Sequence, residues 1–364
     1  MQGKATLEVQ RLSRPALPSV LPQPYLSRNL DLLRALAVVC VVASHLIDTL
    51  HLGRYGSLGR FGVILFFFHT SLVLVASLDR MHQIGSRWHI VTGFWVRRFF
   101  RIYPLSVLFV LAVWFLRLPP QPGSPYVPIR PAELVSNLLL IQNVTYQRDV
   151  QAPLWTLPLE AQMYVLLPFL FFAILRRRYI SLAIWAATVP LAFWVPQITE
   201  RLSVFRYAPC FAAGVVAFDL LRAKISSRLP GWCWPVVICV AAAAFGPWDN
   251  VSLPSKLARS FFCSAILAGS YPFLREIEPY RGQRIVQWVA EHSYGIYLSH
   301  GILLWLAFER VPHWSSWPIF VLSLILLPAV LYRYLERPLM LLGGHLSRRL
   351  LRHKASLRPT PVNS

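Results

Sequence analysis

The feature that most restricts this chain is a succession of apolar runs, each about as long as a lipid bilayer is thick. A helix crossing the hydrocarbon layer needs about 20 mostly apolar residues. Ten segments meet that description: 29–50, 58–78, 95–116, 154–175, 179–196, 204–221, 232–248, 257–274, 288–308 and 317–340. Charged residues make up 14% of the chain, against about 25% in an ordinary soluble domain. The solvent for so much apolar surface is lipid, and lipid leaves only helices or closed barrels. Barrels alternate weakly over about ten residues, which these runs do not. The expected fold is all-α, a polytopic membrane helical bundle of about ten transmembrane helices.

Three regions follow from the same pattern: a polar N-terminal tail at 1–28, a transmembrane domain at 29–340 and a basic C-terminal tail at 341–364. The first tail is Pro-rich and lacks the short apolar core of a signal peptide, so the first run reads as a retained helix. Lys and Arg set the orientation. With the N-terminus cytoplasmic, inside segments carry 25 of them and outside segments 10, with Arg34 inside a span. Positive residues collect on the cytoplasmic side of membrane proteins, so both termini are expected there.

The formal net charge of +21 brings nucleic acid to mind, but a nucleic-acid binder clusters its basic residues on one face of a folded domain. Here they punctuate apolar runs, and no nucleic-acid partner is expected. The five cysteines lie in or beside apolar runs without a C-x-x-C pair, and read as small buried residues. The longest connection, about 117–153, is rich in proline. A loop of that length is often functional; a lid over an acceptor and a passive connector fit it equally.

Ionisable groups inside spans are costly and mark function by default. Arg34 and His45 stand 11 residues apart in the first run, which is three turns plus about 20° and about 16 Å of rise. They share a helix face, with Asp31 on the same side. An imidazole there suits a general base or an interhelical hydrogen bond. In the third run Arg97, Arg98 and Arg101 make a cationic patch at i, i+3 and i, i+4 spacing, read as a cytoplasmic helix end. A phosphate-bearing ligand, a topology anchor and a lipid headgroup all suit it.

Glu160 and Tyr164 share a face of the fourth run, where the carboxylate calls for an arginine or His45 as partner. Ser293, Tyr297 and His300 form a polar stripe on the ninth, fit for a cavity wall or for interhelical bonding. His69 in the second run reads as structural, and Glu336 as the interfacial partner of Arg337. The soluble-enzyme signatures G-x-S-x-G, Walker loop and H-E-x-x-H are not found.

Taken in order, these residues resemble the membrane acyltransferase-3 family. The likeness rests on Arg34 and His45 with ten residues between them and on Arg98-x-x-Arg101 followed by Tyr103-Pro104. It rests further on Trp155-Thr-Leu-x-x-Glu160 with Tyr164, Ser-Tyr-Gly-Ile-Tyr-Leu-Ser-His ending at His300, and Glu336-Arg337-Pro338. It implies ten helices in the bacterial cytoplasmic (inner) membrane and O-acylation of a carbohydrate or glycolipid acceptor. The donor it implies is cytoplasmic acetyl-CoA or another acyl-CoA, with no metal. It implies His45 as the catalytic residue. Arg34, Arg98 and Arg101, with Tyr103 beside them, become donor-binding residues. Glu160 and His300 become candidates for orienting His45 or holding the acceptor.

Two departures stand out. Ile64 and Ser71 occupy positions where the family often has an acidic residue and a Ser-Gly pair, which points to a subgroup. The chain also ends soon after its tenth run, so the extra esterase-like domain of some relatives is not expected. The competing reading is a transporter or flippase of a glycolipid intermediate, against which the lack of an internal repeat counts. Oligomeric state is not legible from the sequence.

Overall fold

The computed structural model describes residues 27–53, 56–83, 86–177, 179–223, 229–247 and 251–352. Residues 1–26 of the N-terminal tail and 353–364 of the C-terminal tail lie outside them. The elements are helices: α1 (Arg28–Thr49), α2 (Gly56–His82), α3 (Arg87–Phe115), α4 (Pro131–Leu138), α5 (Gln142–Thr145), α6 (Thr156–Arg176), α7 (Ile180–Ile198) and α8 (Ala208–Arg222), then α9 (Cys233–Phe245), α10 (Leu253–Ser270), α11 (Gln283–Trp305), α12 (His313–Leu331) and α13 (Arg337–Arg352). Among the described residues the one extended pairing is an isolated bridge between Leu229 and Leu274.

The protein is a polytopic all-α membrane protein. Among the described residues, seven stretches are long and apolar enough to cross a bilayer: α1, α2, α3, Ala152–Arg176, α7, Glu200–Arg222 and His313–Leu351. The other three runs fall on α9, α10 and α11. Helix α9 has 13 residues, about 20 Å of rise against a hydrocarbon layer of about 30 Å. Helices α10 and α11 are longer but carry more polar residues, and α11 is where the Ser293–Tyr297–His300 stripe lies.

Helix α1 is the hub. Its start is capped by Ser27, whose Oγ accepts from the Leu30 N–H at 3.2 Å. Asn29 Nδ2 donates to the Arg275 carbonyl at 3.0 Å, just before α11. Further along, His45 meets His300, so α1 and α11 run parallel. Helix α2 returns antiparallel, with Gly62 so close that a Cβ there would lie 2.4 Å from the Ala37 carbonyl oxygen. Gly214 of α8 fits as tightly against α2, where a Cβ would meet Ser71 Oγ at 2.0 Å. Ser71, one of the two departures from the family pattern, thus sits at a helix crossing. The Asn29 end of the bundle is termed proximal and the opposite end distal.

Two expectations change here. The basic C-terminal segment begins as an ordered helix, α13, continuous with α12 through a π-helical stretch at Tyr332–Glu336. It packs on the first half of α3, and Arg97 Nε donates to Ser347 Oγ at 2.9 Å. Helix α3 has 29 residues, about 44 Å, and α13 covers its surplus length. The second concerns the 117–153 connection, for which a lid and a passive connector fitted equally: it is folded. It holds α4, α5 and a 3-10 turn at Ala152–Trp155. Glu133 seals it by accepting from Arg130 at 2.8 Å and Arg148 at 3.2 Å.

Candidate active site

Among the described residues, four cavities bear on the site. The proximal one, about 410 Å³, lies between α1, α2 and α8 and includes Val73, Ala76, Asp79, Arg80 and Arg222 in its wall. Val73 also lines the next, of about 90 Å³, with Arg34, His69, Thr70, Arg98, Arg101, Glu160, Tyr164 and Tyr294. A third, about 70 Å³, shares Arg34, Thr70, Glu160 and Tyr294 with the second and adds Phe66, Thr156, Ser293 and Tyr297. The distal cavity, about 300 Å³, holds His45, Asp48, Thr49, Gln121, Gln151 and Pro153.

The second and third cavities form an arginine chamber in the interior of the bundle. Arg98 and Arg101, expected at a helix end, sit 11 and 14 residues into α3, because that helix begins eight residues before the apolar run does. Arg101 Nη1 lies 2.5 Å from Glu336 Oε2, whose side chain is 1% exposed. Glu336 therefore pairs across helices with Arg101 instead of locally with Arg337. The π-helical stretch ends on this residue, and such insertions often re-aim a functional side chain. Glu160 accepts a short hydrogen bond from Tyr164. Three arginines and Glu160 line the chamber, and Glu336 pairs with Arg101 behind its wall, so the chamber suits an anionic or strongly polar guest. His69, read as structural, lines the same chamber.

At the distal end His45 Nδ1 lies 2.8 Å from His300 Nε2, and His300 Nδ1 lies 2.6 Å from the Tyr297 carbonyl oxygen. A carbonyl oxygen only accepts, so His300 Nδ1 carries its hydrogen. In the neutral pair His300 Nε2 is then an acceptor, which places a hydrogen on His45 Nδ1 and leaves His45 Nε2 with a free lone pair. The ring planes are inclined by 28°, with centroids 4.9 Å apart. His300 itself is fully buried.

The arginine chamber and the histidine cavity meet at a polar latch. The Tyr297 hydroxyl lies 2.8 Å from Thr156 Oγ1 and 2.9 Å from the Pro153 carbonyl. Tyr297 and Thr156 line the chamber, whereas Pro153 lines the histidine cavity.

The structure sorts the expected site residues into two groups. Arg34, Arg98, Arg101 and Glu160 share the chamber, and His45 and His300 share the dyad. Glu160 is a correction to its grouping with the catalytic residues, because it faces arginines rather than His45. Tyr103 is a second correction. Its hydroxyl donates to the Leu139 carbonyl at 3.1 Å and its ring stacks on Phe99, so it braces α3 against α4, outside the chamber. Sequence reasoning missed Tyr294, which lines both chamber cavities and donates to the Ile102 carbonyl at 2.8 Å. It stands next to Ser293 and three residues before Tyr297, so the stripe could have included it. Gln151 and Gln121 carried no periodic signal; only the folding of the proline-rich connection brings them to His45.

The helical membrane fold thus carries an imidazole pair, His45 half-buried and His300 fully buried, beyond an arginine-lined chamber, an arrangement suited to a membrane-embedded transfer enzyme. Residues 27–333 match the family model described as an acyltransferase domain, and the chain belongs to that family, acyltransferase-3; it is an acyltransferase. It is similar to Nodulation protein 10 of Rhizobium leguminosarum bv. viciae, 26% identical over 370 residues that cover 89% of this chain and 96% of that protein. No solved structure matches it.

Proposed function

We propose that the protein moves an acyl group, in the first instance acetyl, from cytoplasmic acyl-CoA to a hydroxyl of a carbohydrate-type acceptor such as an exopolysaccharide or lipopolysaccharide. The reaction would occur in the inner membrane of a bacterium, with the proximal end on the cytoplasmic side that the excess of Lys and Arg favours. The observation that carries this reading is the His45–His300 pair, which leaves one lone pair free beside a roomy polar cavity. The similarity to a nodulation protein supports it, since the acyltransferase-3 family includes enzymes that O-acylate Nod factors and surface polysaccharides.

In this reading the thioester approaches from the arginine chamber and the acceptor from the distal cavity. His45 Nε2 takes the proton of the acceptor hydroxyl as its oxygen attacks the thioester carbonyl. The tetrahedral intermediate collapses with cleavage of the C–S bond, and the leaving thiolate takes the proton back from the imidazolium. His300 holds His45 in the tautomer that keeps Nε2 bare, a positioning role. Asp48, Thr49, Gln121 and Gln151 offer the donors and acceptors that a sugar hydroxyl needs, and the acceptor carries them away from lipid on a folded connection. The arginines hold the polar part of the donor. Transport of a glycolipid would leave the bare nitrogen of His45 without a task.

Mass spectrometry of surface polysaccharide from cells with and without the gene tests the function. O-acyl groups that vanish with the gene, and return with it but not with a His45→Ala copy, are expected. Unchanged acylation in the deletion strain contradicts the proposal.

A further inference from the structure

Acyl transfer through a tetrahedral intermediate builds negative charge on the carbonyl oxygen, and a buried site meets that charge with hydrogen-bond donors. The neutral His45–His300 pair supplies none, because its two hydrogens are committed to His300 Nε2 and to the Tyr297 carbonyl. We propose that Gln151 is a further catalytic residue, whose Nε2–H group donates to the thioester carbonyl oxygen as it becomes an oxyanion. The inference rests on the acyl-CoA reading above and gives Gln151 a task beyond holding the acceptor.

Three observations carry it. The first is a buried polar side chain without a partner. Gln151 is 3% exposed and lines the cavity that holds His45. Among the described residues its side-chain amide makes no hydrogen bond. A buried amide left unpaired is costly, and the cost is recovered when a guest accepts from it.

The second is what the rest of the wall lacks. Pro120, Pro122 and Pro153 line the same cavity and have no N–H. Thr49 commits its hydroxyl hydrogen to the His45 carbonyl at 2.7 Å. The Asp48 carboxylate only accepts, and Gln121 is exposed. At the border with the arginine chamber, the Tyr297 hydroxyl is engaged by Thr156 and the Pro153 carbonyl. Among these side chains Gln151 Nε2 is the buried donor left for an oxyanion.

The third is position. Nε2 lies against Gly301, the residue after His300, where a Cβ would stand 3.5 Å from it. The backbone that carries it is pinned on both sides. The Val150 N–H donates to Asn137 Oδ1 at 3.2 Å, and the Ala152 N–H to the Pro120 carbonyl at 2.8 Å. The Gln151 carbonyl accepts from the Leu154 N–H at 3.0 Å. A donor fixed before the reaction costs no reorganisation during it.

The step balances without any further reactant. As the acceptor oxygen bonds to the thioester carbon, its proton passes to His45 Nε2. The π pair of the carbonyl moves onto its oxygen, to which Gln151 donates. When the C–S bond breaks, that pair re-forms the carbonyl and the thiolate takes the proton from His45. Gln151 keeps its hydrogens throughout. Base and oxyanion donor thus come from α1 and from the 117–153 connection, and the folding of the connection completes the site.

The test is steady-state acetyl transfer from acetyl-CoA to a carbohydrate acceptor by the full chain in nanodiscs. Gln151→Met, similar in size but without a donor, is expected to lower kcat about 10²- to 10³-fold, as loss of one oxyanion donor does, with KM for both substrates little changed. Transfer to glycerol at high concentration, which cannot fill a sugar's other contacts, is expected to fall by the same factor. A loss seen with the carbohydrate but not with glycerol makes Gln151 a sugar contact alone and overturns the proposal. Gln151→Ala is a second donor-free variant, and an unchanged kcat in either variant as monodisperse protein also overturns it, while leaving the acyl-CoA reading intact. Wild-type protein that transfers no acetyl from acetyl-CoA overturns both.

Discussion

His45 and His300, 255 positions apart in the chain, stand 2.8 Å apart between Nδ1 and Nε2. Because His300 is itself anchored to the Tyr297 carbonyl at 2.6 Å, the pair has a direction: hydrogens point from His45 through His300 to the backbone, and the free nitrogen faces the distal cavity. The arrangement is a relay of orientation.

Replacing His300 by Ala is expected to lower kcat about 10- to 100-fold with KM for both substrates little changed. Gln at the same position can offer a carbonyl oxygen where His300 Nε2 now lies, and is expected to recover most of the loss. Steady-state kinetics across pH reads the difference. A merely structural His300 would give equal losses in the two variants and an unaltered pH profile.

The buried Arg101–Glu336 pair makes a separate prediction. Removing one partner strands the other inside the bundle, at a cost of about 3–5 kcal/mol. Arg101→Leu and Glu336→Gln are each expected to lower the melting temperature in detergent by several degrees. Arg101→Leu combined with Glu336→Leu is expected to be more stable than either single change, and still inactive. Additive destabilisation in the double variant contradicts the pairing.

Close helix crossings set the third. At Gly214 a Cβ would meet Ser71 Oγ at 2.0 Å and the Phe68 carbonyl oxygen at 2.4 Å. Gly214→Ala should therefore force α2 and α8 apart at a cost of about 1–3 kcal/mol. Ser71→Ala in the same chain should return only part of it, because the backbone clash stays. Thermal unfolding of wild type and the two variants measures this, and a Gly214→Ala protein as stable as wild type contradicts the packing.

The 117–153 connection carries a pH signature. Burial alone would raise the Glu133 carboxyl, but hydrogen bonds from the Arg130 backbone and guanidinium, with the Arg148 charge, hold it below the usual carboxylate range. A carboxyl depressed in the folded state contributes stability that is complete above its unfolded pKa and is lost as pH falls through the folded one. Amide exchange in residues 131–151 is therefore expected to speed up only in acid, below the ordinary glutamate range. Glu133→Gln should show faster exchange already at neutral pH, without the acid-dependent step.

Much of this was legible in the sequence, for definite reasons. The apolar runs located the membrane helices because lipid tolerates little else. Helical arithmetic put Arg34 and His45 on one face, and both line interior cavities. What the sequence withheld was pairing between distant helices. Nothing along the chain joins His45 to His300 rather than to Glu160, or Arg101 to Glu336, because those choices depend on how helices rotate as they pack. Position within the helix was misjudged at Arg98 and Arg101, since hydropathy marks where an apolar run begins and α3 begins earlier as a basic extension that α13 covers. The contribution of Gln151 came from the path of a connection without periodicity.

The most direct test of the account is single-turnover transfer of labelled acetyl from acetyl-CoA by purified protein in nanodiscs, with wild type and His45→Ala compared on a carbohydrate acceptor. Wild-type transfer that falls about 10²- to 10⁴-fold in the variant, the range for loss of a general base, with CoA binding retained, is the predicted result. Equal rates in the two proteins would contradict the role of His45 and with it the proposed chemistry.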